Sequence, residues 1–222
     1  MASEGYEAIL KLLNDAINSS IIVKEHAPSE DAKLGIIPVG ISNRHLHLSQ
    51  DDLDTLFGKG YELTPIKDLS QPGQYASKET LTICGPKGAI EKVRVLGPVR
   101  GKTQVEILNG DSYKLGVFAP ERQSGDLDGT PGITIIGPKG SVIKTEGLIV
   151  AQRHIHMTLQ DAIDYGVYDG QIVKIKVESK RGGIFENVLI RANNNSALEC
   201  HLDTDEGNAM GIDSSTIVKI IK

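Results

Sequence analysis

The sequence predicts a mainly β protein made of two related halves, each a small barrel or sandwich. Three observations carry that expectation. From Gly35 onward, short β-branched runs are bounded by Gly, Pro or Asn. Helical periodicity is scarce, and many short strands with Gly-rich turns favour closed or layered sheets. A His-bearing motif also occurs twice, the mark of an internal repeat.

The first periodic stretch is residues 4–18. Tyr6, Ile9, Leu10, Leu13, Ala16 and Ile17 recur at offsets of three and four, which predicts an amphipathic helix. Residues 19–34 mix Ser, Pro and charge and read as a linker, with His26 a solvated bystander in it. Strands are expected at Ile36–Ile41, Leu81–Cys84, Val93–Leu96, Val105–Leu108, Ile133–Ile136, Gly147–Val150, Ile172–Val177 and Val188–Arg191. Two more helices are expected, near Ser49–Phe57 and Thr158–Tyr165.

Composition narrows the function classes. The chain has 222 residues, 39% of them hydrophobic, enough for one large domain or two small ones. Its 24 basic and 29 acidic side chains give a net charge of −5, against a nucleic-acid binder. No run is long enough to span a membrane, and the first residues lack the pattern of a secretory signal. Cys84 and Cys200 make no disulfide framework. An intracellular protein fits these features.

The repeat pairs Arg44-His45-Leu46-His47-Leu48-Ser49 with Arg153-His154-Ile155-His156-Met157-Thr158. Ser49 and Thr158 are good helix N-caps, so each His pair should end a strand that runs into a capped helix. Gly85-Pro86-Lys87-Gly88 and Gly137-Pro138-Lys139-Gly140 form a second echo.

On a strand, residues i and i+2 share a face, so His-x-His aims two imidazoles at one point, as transition-metal sites require. Five of the six His belong to this system: His45, His47, His154, His156 and His201. Glu106 and His201, each in a strand-like run, are candidates for a third ligand that leaves a coordination position open. Imidazole with carboxylate suits zinc, with cobalt, nickel and iron as alternatives. Arg100 follows a Gly-Pro turn and has the planar fork that grips phosphate. Ser124 and Gly125 are candidate donors to an oxyanion. Cys200 adjoins His201 and reads as a packed thiol pointing the other way.

These residues resemble the phosphate propanoyltransferases, the propanediol-utilisation type of phosphotransacylase. The resemblance rests on Val39–Ser49, Gln71–Ala76, Val93–Arg100, Thr103–Glu106, Val150–Met157 and His201–Ala209, and runs from about residue 36 to 215. It implies two β-barrels with an exchanged strand, short capping helices, a metal pair at their interface, and a homodimer. It places residues 35–43 and 152–222 in one barrel and 44–151 in the other, after a targeting helix at 1–20 and a linker at 21–34. By the same likeness His45, His47 and Glu106 hold one zinc, and His154, His156 and His201 a second. Arg100 meets phosphate, with Ser124 a weaker catalytic assignment. The implied reaction exchanges a short-chain acyl-CoA and inorganic phosphate for acyl phosphate and CoA. Direct attack by phosphate is favoured, because no Ser-His or Cys-His pairing is evident to activate a nucleophile. The implied place is the cytoplasm or the inside of a bacterial microcompartment, with residues 1–20 binding shell or cargo proteins.

Two other readings remain open at this level. Gly40, His45, His47 and Asp51 nearly match the glycine, His-x-His and acid spacing of a cupin-like metal barrel. A zinc hydrolase is the rival among enzymes.

Overall fold

The structure is a computed structural model that describes residues 35–221 together with Glu30 and Ala32. The helix expected over 4–18, His26, and the rest of the linker lie outside the described residues.

The described chain forms two sheets. Six strands close into a barrel: β1 (Ile37–Ser42), β11 (His154–Met157), β12 (Ile172–Val177), β13 (Gly183–Ala192), β14 (Glu199–Asp203) and β15 (Ile217–Ile221), in the order β1-β14-β11-β13-β12-β15. The nine strands between them in sequence form the second sheet: β2 (His45–His47), β3 (Pro65–Asp68), β4 (Tyr75–Cys84), β5 (Ala89–Gly97), β6 (Gln104–Ile107), β7 (Glu121–Arg122), β8 (Thr134–Ile136), β9 (Ser141–Ile143) and β10 (Leu148–Ala151). This sheet is a half-barrel. Its path ends on β7 and β9, short strands that present little unpaired backbone. The expectation of two related β-barrels is therefore met by one closed barrel and one half-barrel.

Each sheet buries its own apolar face. Ile37, Ile155, Met157, Ile175, Ile190 and Val218 fill the barrel, and β12 alternates exposed and buried along its whole length. Leu46, Leu48, Ile83, Val95, Val105 and Leu148 form the core of the half-barrel. Ala32 packs on the barrel cluster and accepts a hydrogen bond from Gly35 N.

Strand β1 is exchanged. It precedes the whole half-barrel in sequence, yet it lies between β14, in parallel, and β15, antiparallel. The chain thus crosses between the sheets twice. Asn43–Arg44 joins β1 to β2, and Gln152–Arg153 joins β10 to β11. Each crossing ends at the first residue of a His pair.

Within residues 35–221, four short helices follow the strands. α1 (Gln50–Phe57) starts at Ser49, whose side chain accepts from Asp52 N, and α3 (Leu159–Tyr165) starts at Thr158 with a capping box to Asp161. Both caps follow the sequence expectation. Two helices were not expected, α2 (Asp111–Leu115) and α4 (Thr204–Met210). α2 is too short for periodicity to reveal, and α4 has only Ala209 and Met210 as apolar side chains, too few for a periodic face; Asp203 caps α4 through a box with Glu206. No helix among the described residues is long and apolar enough to cross a membrane.

Candidate metal centre

The two His pairs occupy equivalent places in the two sheets. β2 runs antiparallel to β6, with His45 opposite Glu106 and His47 opposite Gln104. β11 runs antiparallel to β14, with His154 opposite His201 and His156 opposite Glu199. Directly opposed side chains on one face are close neighbours. His45, His47 and Glu106 accordingly form one group and His154, His156 and His201 another, with the candidate ligand atoms of each within 4.8 Å of one another.

The arginine before each pair anchors its crossing. Arg44 reaches Asp111 through Nε at 2.7 Å and Nη2 at 3.0 Å. Arg153 Nε lies 2.6 Å from Glu206 Oε1, and its guanidinium stacks over the Phe185 ring at 4.7 Å. The carbonyl at each crossing then orients the first His. Asn43 O accepts from His45 Nδ1 at 2.8 Å, and Gln152 O accepts from His154 Nδ1 at 2.7 Å.

Those bonds place the proton of each neutral ring on Nδ1 and leave the Nε2 lone pair facing its group. His45 Nε2 lies 3.3 Å from Glu106 Oε2, and His154 Nε2 lies 3.1 Å from His156 Nε2. Lone pairs this close repel unless a proton or a cation sits between them. Two further ring atoms, His47 Nδ1 and His156 Nδ1, are buried with no hydrogen-bond partner. Buried polar atoms are rarely left so. Two groups of converging imidazoles, one completed by a carboxylate, with lone pairs turned toward each other, fit a pair of borderline divalent cations such as zinc.

Burial keeps most of these rings neutral, as ligation requires. It holds His154 down to about 4, with His201 adding to the effect. It holds His156 to about 2, reinforced by His154 and His201, and His47 to about 3, reinforced by His45 and Arg100. His45 differs. Burial lowers it too, but the Glu106 carboxylate outweighs that and raises it. Burial works against ionisation of Glu106, yet His45, His47 and Arg100 together pull its carboxyl well below the usual range. Glu106 also acts on His154 and on Arg191, so both groups share one electrostatic site.

Arg100 stands at the edge of the first group. Its Nη1 donates to Ser124 Oγ at 3.0 Å. Gln104 is the hub of this corner. Gly125 N donates to Gln104 Oε1 at 2.7 Å, which fixes the amide. Its Nε2 then donates to Glu106 Oε1 and, at 2.8 Å, to Ser124 Oγ. Ser124 accepts twice, which occupies both lone pairs and frees its proton for a group outside the protein. Cys200 is fully buried in the barrel core, where burial raises its thiol pKa far above the ordinary range.

A sequence profile of the phosphate propanoyltransferase family matches residues 38–213. The phosphate propanoyltransferase of Thermotoga maritima is 62% identical over 189 residues, covering 85% of this chain and 90% of its own. The one from Rhodobacter capsulatus is 49% identical over 95% of this chain and 97% of its own. The one from Clostridioides difficile is 50% identical over 95% and 98%. The chain belongs to the phosphate propanoyltransferase family. It is therefore an acyltransferase enzyme, and a metal barrel without catalysis is set aside.

Three further residues stand at the site without a role assigned to them by the sequence. Arg191 lies opposite His156 on β13 and faces Glu106 and Arg100 electrostatically. Nothing in its sequence surroundings marks it, because the pairing that delivers it is non-local. Gln104 and Glu199 carried a usable signal: each stands two residues before a candidate third ligand on the same strand face.

Proposed function

We propose that this enzyme converts a short-chain acyl-CoA and inorganic phosphate reversibly to acyl phosphate and CoA, by direct attack of phosphate on the thioester. Propanoyl-CoA is the substrate of choice and acetyl-CoA a second one. The two differ by one methylene, which a pocket discriminates by only about 1–3 kcal/mol.

The observation that carries this reading is the convergence of Arg100, Arg191 and the Ser124 hydroxyl on the two His groups. Arg100 lies in the loop after β5 of the half-barrel and Arg191 on β13 of the barrel, and each lowers the pKa of metal-group imidazoles by its positive charge. Two guanidiniums held together want a multiply charged anion between them, and a planar fork suits phosphate. Ser124 adds a proton donor whose own acceptor sites are already filled. Holding phosphate and thioester in one site supplies orientation, a large part of any such barrier.

His45, His47 and Glu106 would hold one zinc ion, and His154, His156 and His201 the other. Bound zinc would supply a Lewis acid to polarise the thioester carbonyl or offset charge on the departing thiolate. In the exchange a phosphate oxygen forms the new bond to the carbonyl carbon. The C–S bond breaks, and the sulfur leaves as a thiolate that takes a proton from water. Arg100 and Arg191 hold the phosphate in line, and Ser124 donates to the developing oxyanion. No protein nucleophile is needed. Cys200 lies on the wrong side of its strand, inside the core.

A homodimer is the assembly favoured by the family likeness. Residues 1–20, outside the described residues, act as a targeting segment for microcompartment shell or cargo proteins. A chain beginning at Ala32 should then keep its turnover and Tm and aggregate less.

The deciding assay follows thiol release from propanoyl-CoA with and without inorganic phosphate. Release that depends on phosphate supports acyl transfer. Equal release without phosphate would make the enzyme a thioester hydrolase and overturn the proposal.

A further inference from the structure

The two halves repeat more than the candidate ligands. In the half-barrel, Gln104 lies opposite His47, two residues before Glu106, and donates its amide to Glu106 Oε1. In the barrel, Glu199 lies opposite His156, two residues before His201. Glu199 Oε2 accepts from His201 Nε2 at 2.5 Å. The same lattice position thus carries a donor where the third group is a carboxylate and an acceptor where it is an imidazole.

The Glu199 carboxylate is itself held in place. Ser70 Oγ donates to the same Oε2. Ser70 belongs to the loop between β3 and β4 of the half-barrel, so this contact spans the two sheets. Its neighbour Gln71 pins that loop to the barrel. Gln71 Nε2 donates to Ala197 O at 3.0 Å, and Ala197 N donates to Gln71 Oε1 at 3.2 Å. Gly40, which pairs with His201 on the parallel neighbour, leaves the space. A Cβ there would sit 2.7 Å from Glu199 Cδ and 2.8 Å from Oε2.

We propose that Glu199 is a positioning residue for the barrel group, fixing the ring and tautomer of His201 as Gln104 fixes Glu106. A neutral imidazole that gives its Nε2 proton to a carboxylate keeps its lone pair on Nδ1. His201 therefore offers Nδ1, whereas His154 offers Nε2. A carboxylate behind a metal-ligating imidazole also raises its basicity. The inference rests on the two-metal reading above. It adds that zinc affinity in the barrel depends on Glu199, on Ser70 that holds it, and on the missing side chain at Gly40.

The test titrates zinc alone against a chromophoric competitor and counts the ions bound per chain. Two sites are expected in the unaltered enzyme. Glu199→Ala should weaken one of them about 10–100-fold and spare the other. Glu199→Gln keeps an acceptor oxygen and should recover part of the loss. Gly40→Ala touches no candidate ligand yet displaces the carboxylate, so it should behave like Glu199→Ala. Combined with His45→Ala, Glu199→Ala should leave no tight site. Combined with His154→Ala, it should add nothing to the loss. Should Glu199→Ala fail to fold, Glu199→Gln and Gly40→Ala decide the matter. Two tight sites of unchanged affinity in these variants would overturn the role of Glu199 while leaving the two-metal reading intact. An unaltered enzyme that binds no zinc would overturn both.

Discussion

Ser124 Oγ lies 3.0 Å from Arg100 Nη1, so the hydroxyl and the guanidinium form one unit. Ser124→Ala removes a donor aimed at developing charge and should lower kcat about 10²–10³-fold. Arg100→Lys keeps the charge but loses the fork, so kcat should fall or the KM for phosphate should rise. Steady-state kinetics with phosphate varied checks both. Unchanged phosphate kinetics in Arg100→Ala would remove this residue from the site.

Gln104 should prove as important as the residues it touches. Gln104→Ala unties Glu106 and Ser124 together, so its effect and that of Ser124→Ala should combine less than additively. A double-variant cycle on kcat measures the coupling. Full additivity would mean that Gln104 works independently of Ser124.

The two His groups should empty separately. His45→Ala should cost one bound metal per chain and His154→Ala the other, as read by elemental analysis. Removing both ions with a chelator should lower Tm, because ligands that bind only the folded state stabilise it.

Cys200→Ser should remain active with its metals bound. Placing a hydroxyl in the apolar barrel core costs about 1–3 kcal/mol, so Tm should drop while kcat stays. Lost turnover with metal retained would bring back a thiol nucleophile.

Acid should weaken one identifiable contact between α1 and the loop that follows β9. Lys144 Nζ lies 2.8 Å from Asp52 Oδ2. Burial raises the Asp52 pKa, but Lys144, Thr103 and Ser49 outweigh it and bring the carboxyl below its ordinary value. A depressed folded pKa means stability that is present above the unfolded value of about 3.9 and lost as pH falls through the folded one. Asp52→Asn should cost on the order of 1 kcal/mol at pH 7, or about 2–4 °C in Tm. Thermal melts should show that gap closing below about pH 4.

Local patterns made much of this architecture legible. His45-x-His47 and His154-x-His156 announce themselves by spacing, and their helix caps follow at once. Glu106 and His201 stood in recognisable strand runs, and the family likeness connected them to the His pairs. What remained hidden depends on long-range pairing. Arg191 reaches the site because β13 lies parallel to β11, a register that no local window contains. The closed and open states of the two sheets were equally out of reach, since β15 completes the barrel through contacts with both β1 and β12. Helices as short as Asp111–Leu115 leave no periodic trace.

The exchanged strand also sets an order of events during synthesis. β1 leaves the ribosome first among the described strands, yet its partners begin at Glu199 and Ile217. Every strand of the half-barrel is made by Ala151, before the barrel has most of its staves. Until Glu199–Asp203 and Ile217–Ile221 emerge, β1 must wait with unpaired edges, and closing so long a loop is slow. His201 arrives with the same late segment. The nascent chain therefore assembles its second His group only after every strand of the half-barrel has been made, so a chain that stops before His201 lacks that group.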